Sequence, residues 1–137
     1  MTKIKEIKNN ELPVVYGINN CDTVKKSLKW LIENNIEHKF YDFKKQPLTK
    51  ELLTRFVQLN DWSTLLNKRS TTFRNLNDDI KNNLTDEVAF EQVLAQPTLL
   101  KRPLLLIQST LAKSGTSEPS QQLYLGFKAD IYQNIFQ

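Results

Sequence analysis
Thiols are nearly missing from this chain: of its 137 residues, only Cys21 is a cysteine. One cysteine excludes an internal disulfide and a C-x-x-C metal site, and it suits a reducing compartment. Histidine is as scarce. His38 stands alone, at the start of a strand-like stretch, where such a residue is more often surface or core than a catalytic base. No carboxylate pair, metal-ligand cluster, phosphate-binding loop or Ser-His-Asp arrangement stands out, so no metal is expected. The first twelve residues, M-T-K-I-K-E-I-K-N-N-E-L, lack the apolar core of a signal peptide. Nor does any uninterrupted apolar run approach the roughly 18 residues that a membrane helix needs. These absences predict a cytoplasmic protein with no membrane partner. Repeats and low-complexity segments are missing too.

What is present describes one soluble domain. Hydrophobic residues make up 39% of the chain and charged residues 25%, and a chain of this length can bury a real core. The net charge is +4, with a pI near 9.2. That balance permits an anionic partner, but a mild lysine surplus is usually a solvated surface. Nucleic acid is not expected.

Residues 13–16, P-V-V-Y, form a short β-branched run ended by Gly17 and read as a buried strand. Val24, Leu28, Leu31 and Ile32 then follow at i, i+4, i+7 and i+8, one face of a helix stopping near Asn34 and Asn35. Residues 38–43, H-K-F-Y-D-F, alternate and are rich in aromatics. Strand, helix and strand joined by such short turns predict a parallel pair with a right-handed crossover. The middle of the chain carries no strand signal. Thr49 caps a helix bearing Leu52, Leu53, Phe56 and Val57; Asp61 caps a turn with Trp62, Leu65 and Leu66. Thr85 caps a third helix with Val88, Ala89, Val93 and Leu94, which Pro97 closes. L-L-L-I at 104–107 and L-Y-L at 123–125 then flank a polar loop with Gly115 and Pro119, an antiparallel hairpin with a long connection. Residues 129–136 close the chain as a short helix presenting Ile131, Tyr132, Ile135 and Phe136. The fold class expected is α/β, a small mixed sheet with helices against it. Residues 1–12 stand as an N-terminal extension to a single domain of residues 13–137, with a helical insertion at about 47–97.

Cys21 falls where the first strand gives way to the first helix. A helix start carries unpaired N–H groups and the positive end of the macrodipole, which stabilise a thiolate. Lys25 and Lys26, one turn on, add positive charge, and Asn19, Asn20, Asp22 and Thr23 surround the thiol with polar neighbours. A free cysteine is also often a small buried hydrophobe. The residues alone favour the reactive thiol modestly.

Four stretches in order carry a resemblance: Y-G-I-N-N-C-D-T-V-K-K-S, L-L-N-K-R-S-T-T-F-R, L-L-K-R-P-L-L and L-G-F-K. Together they resemble the arsenate-reductase-like (ArsC/Spx) family, and its YffB-type branch most. The resemblance implies a thioredoxin-like mixed sheet with a helical insertion. It implies that Cys21 is the reactive thiol, that Arg102 lies beside it, and that Pro103 is a cis-proline facing it. By the residues alone, Pro103 only opens a strand, where proline is tolerated.

The departures bear on substrate. Asn67 stands where the arsenate reductases have an arginine, and G-F-K, with Phe127 and Lys128, replaces their later C-R-P. Of the family's three oxyanion-binding arginines, only Arg102 carries over. The Spx regulators use C-x-x-C as a redox switch, and the second position here is Val24. Arg69 and Arg74 flank a basic loop that either faces the same cleft or is simply solvated, and Asp22 can be no more than a helix cap.

Four functions are open. The leading one is a glutathione-dependent thiol reductase, poor on arsenate: a single thiol attacks an oxidised substrate but cannot resolve the adduct itself. Its site is expected to be Cys21 and Arg102 as catalytic residues, with Asn20, Asp22, Thr23, Lys25, Pro103 and Lys128 binding substrate or glutathione. No cofactor is bound; glutathione is a co-substrate, glutathionylated molecules and glutaredoxin are the partners, and the chain is a monomer. The glutathione carboxylates suit Lys25, Lys26, Arg102 or Lys128. The alternatives are a Spx-like regulator using its helical block on RNA polymerase, a true arsenate reductase, or a redox-inactive structural domain.

Overall fold
Two valines and a tyrosine in succession favour extended backbone, and Pro13 sits just before them, where no ladder N–H is lost. They form β1 (Val14–Gly17), followed by α1 (Asp22–Glu33) and β2 (Lys39–Asp42). β2 runs parallel to β1, with Val15 opposite Phe40 and Gly17 opposite Asp42. The expected crossover unit is therefore present, with α1 as its connection. The computed structural model describes residues 12–109 and 120–136. The expected extension before Leu12 and the polar loop around Gly115 and Pro119 lie outside the described residues.

The helical block holds α2 (Lys50–Leu59), α3 (Trp62–Leu65), α4 (Thr71–Arg74), α5 (Asp78–Asn82) and α6 (Asp86–Ala95), then a 3-10 turn, Pro97–Leu99. The three caps expected are made: Thr49 accepts from Leu52 N–H, Asp61 from Thr64 N–H and Thr85 from Val88 N–H. α4 and α5 were not expected. Each is too short for an apolar stripe to show, though Ser70 and Asn77 cap them in the ordinary way. The chain then returns as β3 (Leu104–Ser109) and β4 (Ser120–Leu125) and ends in α7 (Ala129–Phe136).

The strands lie in the order β2-β1-β3-β4, antiparallel between β1 and β3 and between β3 and β4. β3 is central and covered on both faces, which is why Leu104, Leu105 and Leu106 are all buried rather than alternating. Leu104 and Leu106 join Tyr16, Leu53, Phe56 and Val93 under the helical block. Leu105 joins Val15, Leu31 and Tyr132 under α1 and α7. Asn60, at the end of α2, donates its amide to the Leu123 carbonyl at 2.9 Å and ties the block to the edge strand.

α1 ends as a Schellman motif. Asn35 takes φ 57°, its N–H donates to the Ile32 carbonyl, and the Ile36 N–H reaches back to Leu31 at 3.0 Å. The face that α1 buries is the expected one at Val24 and Leu31, with Leu28 packed against the same cluster, but Ile32 is 66% exposed and Ser27 is buried instead. Ser27 belongs there because its hydroxyl and the Tyr132 hydroxyl hydrogen-bond at 2.8 Å. Burial pushes the Tyr132 phenol above its usual range, and the bond to Ser27 offsets part of that. Trp30, Phe127 and Phe136 surround the Tyr132 ring, all three edge-on.

Two contacts here carry measurable consequences. A Cβ on Gly17 would lie 2.8 Å from Cγ2 of the fully buried Val24, so Gly17→Ala should lower stability by about 1–3 kcal/mol. Urea unfolding checks this, and Val24→Ala in the same chain should recover part of the loss; additive losses would show the contact is not the cause. Ser27→Ala should cost about 1–3 kcal/mol by leaving a buried phenol unbonded. The double variant Ser27→Ala with Tyr132→Phe should cost less than the two single changes added together.

Candidate active site
Gly17 governs where Cys21 can be. Without a side chain, the end of β1 admits Val24 of the first turn of α1 against it, and only residues 18–21 remain to make the turn. The turn is tight: the Cys21 N–H reaches the Ile18 carbonyl at 3.4 Å, and the Cys21 carbonyl accepts the Lys25 N–H at 2.9 Å. Cys21 is thereby the N-cap of α1, with φ −100° and ψ 125°, and is half-buried. Its sulfur takes no capping hydrogen bond from the helix, so the first-turn N–H groups stay available beside it. Asn20 and Asp22 flank it exposed, Thr23 is half-buried, and Lys25 and Lys26 point to solvent.

Arg102 comes to the same end of the sheet. Tyr16 lies opposite Leu104 in an antiparallel pair, so the chain entering β3 runs beside the chain leaving β1. The Arg102–Pro103 bond is cis, as the resemblance implied. The Pro103 carbonyl accepts the Gly126 N–H at 2.9 Å, which brings residues 126–128 to that end as well. Arg102 is half-buried, and its Nε–H is buried with no acceptor. A desolvated guanidinium donor without a partner is costly, and an anion would satisfy it. On the other side, Lys101 N–H donates to the Leu65 carbonyl at 2.8 Å, and a bridge joins Leu66 to Leu100. The helical block thus holds the segment that leads into Arg102.

The departing positions serve other ends. Asn67 uses its amide oxygen on the Arg69 N–H at 3.2 Å and gives its own N–H to the Leu99 carbonyl. Phe127 packs edge-on against Tyr132 at 4.8 Å, which leaves exposed Lys128 as the cation of that stretch. Arg74 donates to the Arg69 carbonyl at 3.2 Å, so the basic loop bonds within itself. His38 precedes β2 and bonds the Ile36 carbonyl at 2.8 Å, at the end of the sheet away from Cys21. Tyr16 stays protonated at neutral pH: burial, with Tyr41 adding and Arg55 opposing, pushes its phenol up to about 12.

Asp42 was missed by sequence reasoning. It ends β2 opposite Gly17 and is 6% exposed. Its one signal was a carboxylate between two aromatics, Y-D-F, at a strand end. With Asn19, Phe40, Lys45 and Gln46 it lines a cavity of about 490 Å³. A larger cavity, about 620 Å³, lies in the helical block between Val57, Trp62, Phe90 and Leu94, with Lys50, Asp86, Glu87 and Glu91 also in its lining and no cysteine. Among the described residues, no group of three or more His, Cys, Asp and Glu side chains is placed to hold a metal. Among those residues, too, no helix is long and apolar enough to cross a membrane.

Comparison with known proteins gives consistent results. An uncharacterised protein of Haemophilus influenzae is 47% identical over 108 residues, covering 79% of this chain and 94% of that protein. The global transcriptional regulator Spx of Lactiplantibacillus plantarum is 29% identical over 100 residues, 72% of this chain and 75% of Spx. Among solved structures, a YffB protein superposes with a TM-score of 0.75 at 35% identity, over 91% of this chain and 99% of its own. An arsenate reductase-related protein of Brucella melitensis gives 0.67 at 38% identity, over 95% and 98%. The arsenate reductase of Vibrio cholerae, at 17% identity and a TM-score of 0.68 over 92% and 98%, shares the thioredoxin-like fold. The ArsC family model matches residues 16–135, nearly the whole described domain from the end of β1 through α7, and the chain belongs to the ArsC family.

Proposed function
We propose that this protein is a thiol reductase in which Cys21 attacks an oxidised sulfur and glutathione supplies the second thiol. The observation that carries the reading is the pairing of a lone N-cap cysteine with the buried, unbonded Nε–H of Arg102 at one end of the sheet. The chain has no other thiol, so an adduct on Cys21 must be resolved from outside. In the first step the Cys21 thiolate bonds to the glutathionyl sulfur of a mixed disulfide, and the substrate thiolate leaves. In the second, a glutathione thiolate attacks that sulfur, forms oxidised glutathione and returns the Cys21 thiolate. Arg102 and Lys128 hold a carboxylate of glutathione, and Asn20, Asp22, Thr23 and Lys25 line the approach. In this reading Pro103, whose bond to Arg102 is cis, faces the sulfur as the family resemblance implies.

The regulator reading rests on the Spx relatives. It has less support, because the position of a second switch cysteine is Val24, fully buried against Gly17.

Incubation with oxidised glutathione should leave one adduct, on Cys21, and Cys21→Ser should abolish it; mass spectrometry of the intact chain reads this. Cys21 should also react with iodoacetamide near pH 6 much faster than free cysteine, and an equal rate would remove the case for an activated thiol. Arg102→Ala should slow deglutathionylation about tenfold or more with the fold intact, from loss of a charge-assisted bond. Arg102→Lys should rescue it only in part, since lysine lacks the planar fork. With arsenate, NADPH consumption coupled through glutaredoxin and glutathione reductase should run roughly two to four orders of magnitude below a true arsenate reductase. Arsenate turnover matching such an enzyme and lost in Cys21→Ser would instead make arsenate the substrate.

A further inference from the structure
The cavity at Asp42 places a buried carboxylate and a lysine in one lining without joining them in an ion pair. Asp42 is nearly fully buried, and its Oδ1 accepts the Lys44 N–H at 2.9 Å. Among the described residues it forms no ion pair, the two present being Lys29–Glu33 and Lys81–Asp78. A carboxylate taken from water without a cation is costly, so a cationic ligand group is what this cavity fits. The Lys45 and Gln46 N–H groups both fold back onto the Asp42 carbonyl, at 2.9 and 2.8 Å. That turn sets the exposed Lys45 at the rim, with the Asn19 and Gln46 amides beside it. An anionic floor with a cationic rim matches a group that carries both charges on one carbon.

Sheet order says which ligand would bring it. With strands in the order β2-β1-β3-β4, the Cys21 turn leaves β1 between two flanks. One flank is the Asp42 cavity at the end of β2, and the other is Arg102 and Lys128 at the ends of β3 and β4. Glutathione has its cysteine in the middle, a zwitterionic γ-glutamyl head on one side and a single glycine carboxylate on the other. Asn19, which lines the cavity, is two residues from Cys21, within about 7.6 Å between Cα atoms. The γ-glutamyl arm spans two residue lengths, about 7 Å, a reach of the same order as the separation of Asn19 from Cys21.

We propose that the cavity of Asn19, Phe40, Asp42, Lys45 and Gln46 is the subsite for the γ-glutamyl head of glutathione. Asp42 takes the α-ammonium and Lys45 the α-carboxylate, and the glycine carboxylate falls to the Arg102 side. This assignment rests on glutathione being the co-substrate, so its test separates the two ideas. The full chain is titrated with S-methylglutathione, which cannot form a disulfide, and backbone amides are followed by NMR. Shifts are expected at Asn19, Lys45 and Gln46. Asp42→Asn, which keeps an oxygen for the Lys44 N–H, should weaken binding about tenfold, and exposed Lys45→Ala several-fold. The analogue lacking the α-amino group should bind wild type and Asp42→Asn alike. Shifts confined to the Arg102 side, or wild-type affinity in Asp42→Asn, would overturn the subsite. Adduct formation on Cys21 from oxidised glutathione is measured in parallel. Binding in the cavity without an adduct keeps the subsite and rejects the reductase reading; an adduct formed equally fast in Asp42→Asn does the reverse.

Discussion
The structure depends on one close approach, the packing of Val24 against the bare backbone of Gly17. Any side chain at residue 17 would meet the valine methyl at 2.8 Å, well inside contact distance. Because the helix can lie this near the strand end, the turn between them needs only four residues, and Cys21 becomes a helix cap rather than a loop residue. The same contact seats α1 on the sheet, where Leu31 joins Val15 and Leu105. From there Ser27 reaches Tyr132 and fastens the C-terminal helix to the first one. Fold and candidate site therefore share one constraint.

The site is assembled at an end of the sheet rather than in a groove of one element. Parallel β1 and β2 deliver the Cys21 turn and Asp42 to that end, while antiparallel β3 and β4 begin and finish there with Arg102 and residues 126–128. Four strand ends supply groups of opposite character on either side of a single thiol. The helical block contributes at a distance, through the Lys101 bond to Leu65 and the bridge at Leu100, by holding the segment that carries Arg102. Its cavity, the larger of the two discussed, lies apart from Cys21 and is lined by other residues.

Membership of the ArsC family coexists with a changed anion environment. Two positions where the resemblance led to an expected arginine now serve the structure itself: Asn67 closes its own turn, and Phe127 packs into the aromatic cluster around Tyr132. A compact oxyanion needs converging charged donors. The extended thiol proposed as co-substrate carries charges at its two ends and needs its binding groups spread apart.

Much of the fold could be read directly from residues because local physics dictated it. Threonine and aspartate caps started α2, α3 and α6 where expected, and the β-branched run, the aromatic alternation and the leucine run marked three strands. The resemblance pointed to Cys21, Arg102 and the cis bond at Pro103. α4 and α5 escaped because a single turn has no period to detect. Ile32 was misassigned to the buried face and Ser27 overlooked, since amphipathic spacing cannot foresee a hydroxyl satisfied by Tyr132, 105 residues away. Asp42 was invisible for a related reason: only parallel pairing with Gly17 buries that carboxylate beside the thiol turn. Sequence by itself determined most of the elements, the caps of α2, α3 and α6 and the place of the lone cysteine, which rest on short-range sterics and hydrogen bonding. Tertiary structure alone decided which polar groups lost water and met across the sheet, because burial and pairing are properties of strands and helices far apart in the chain.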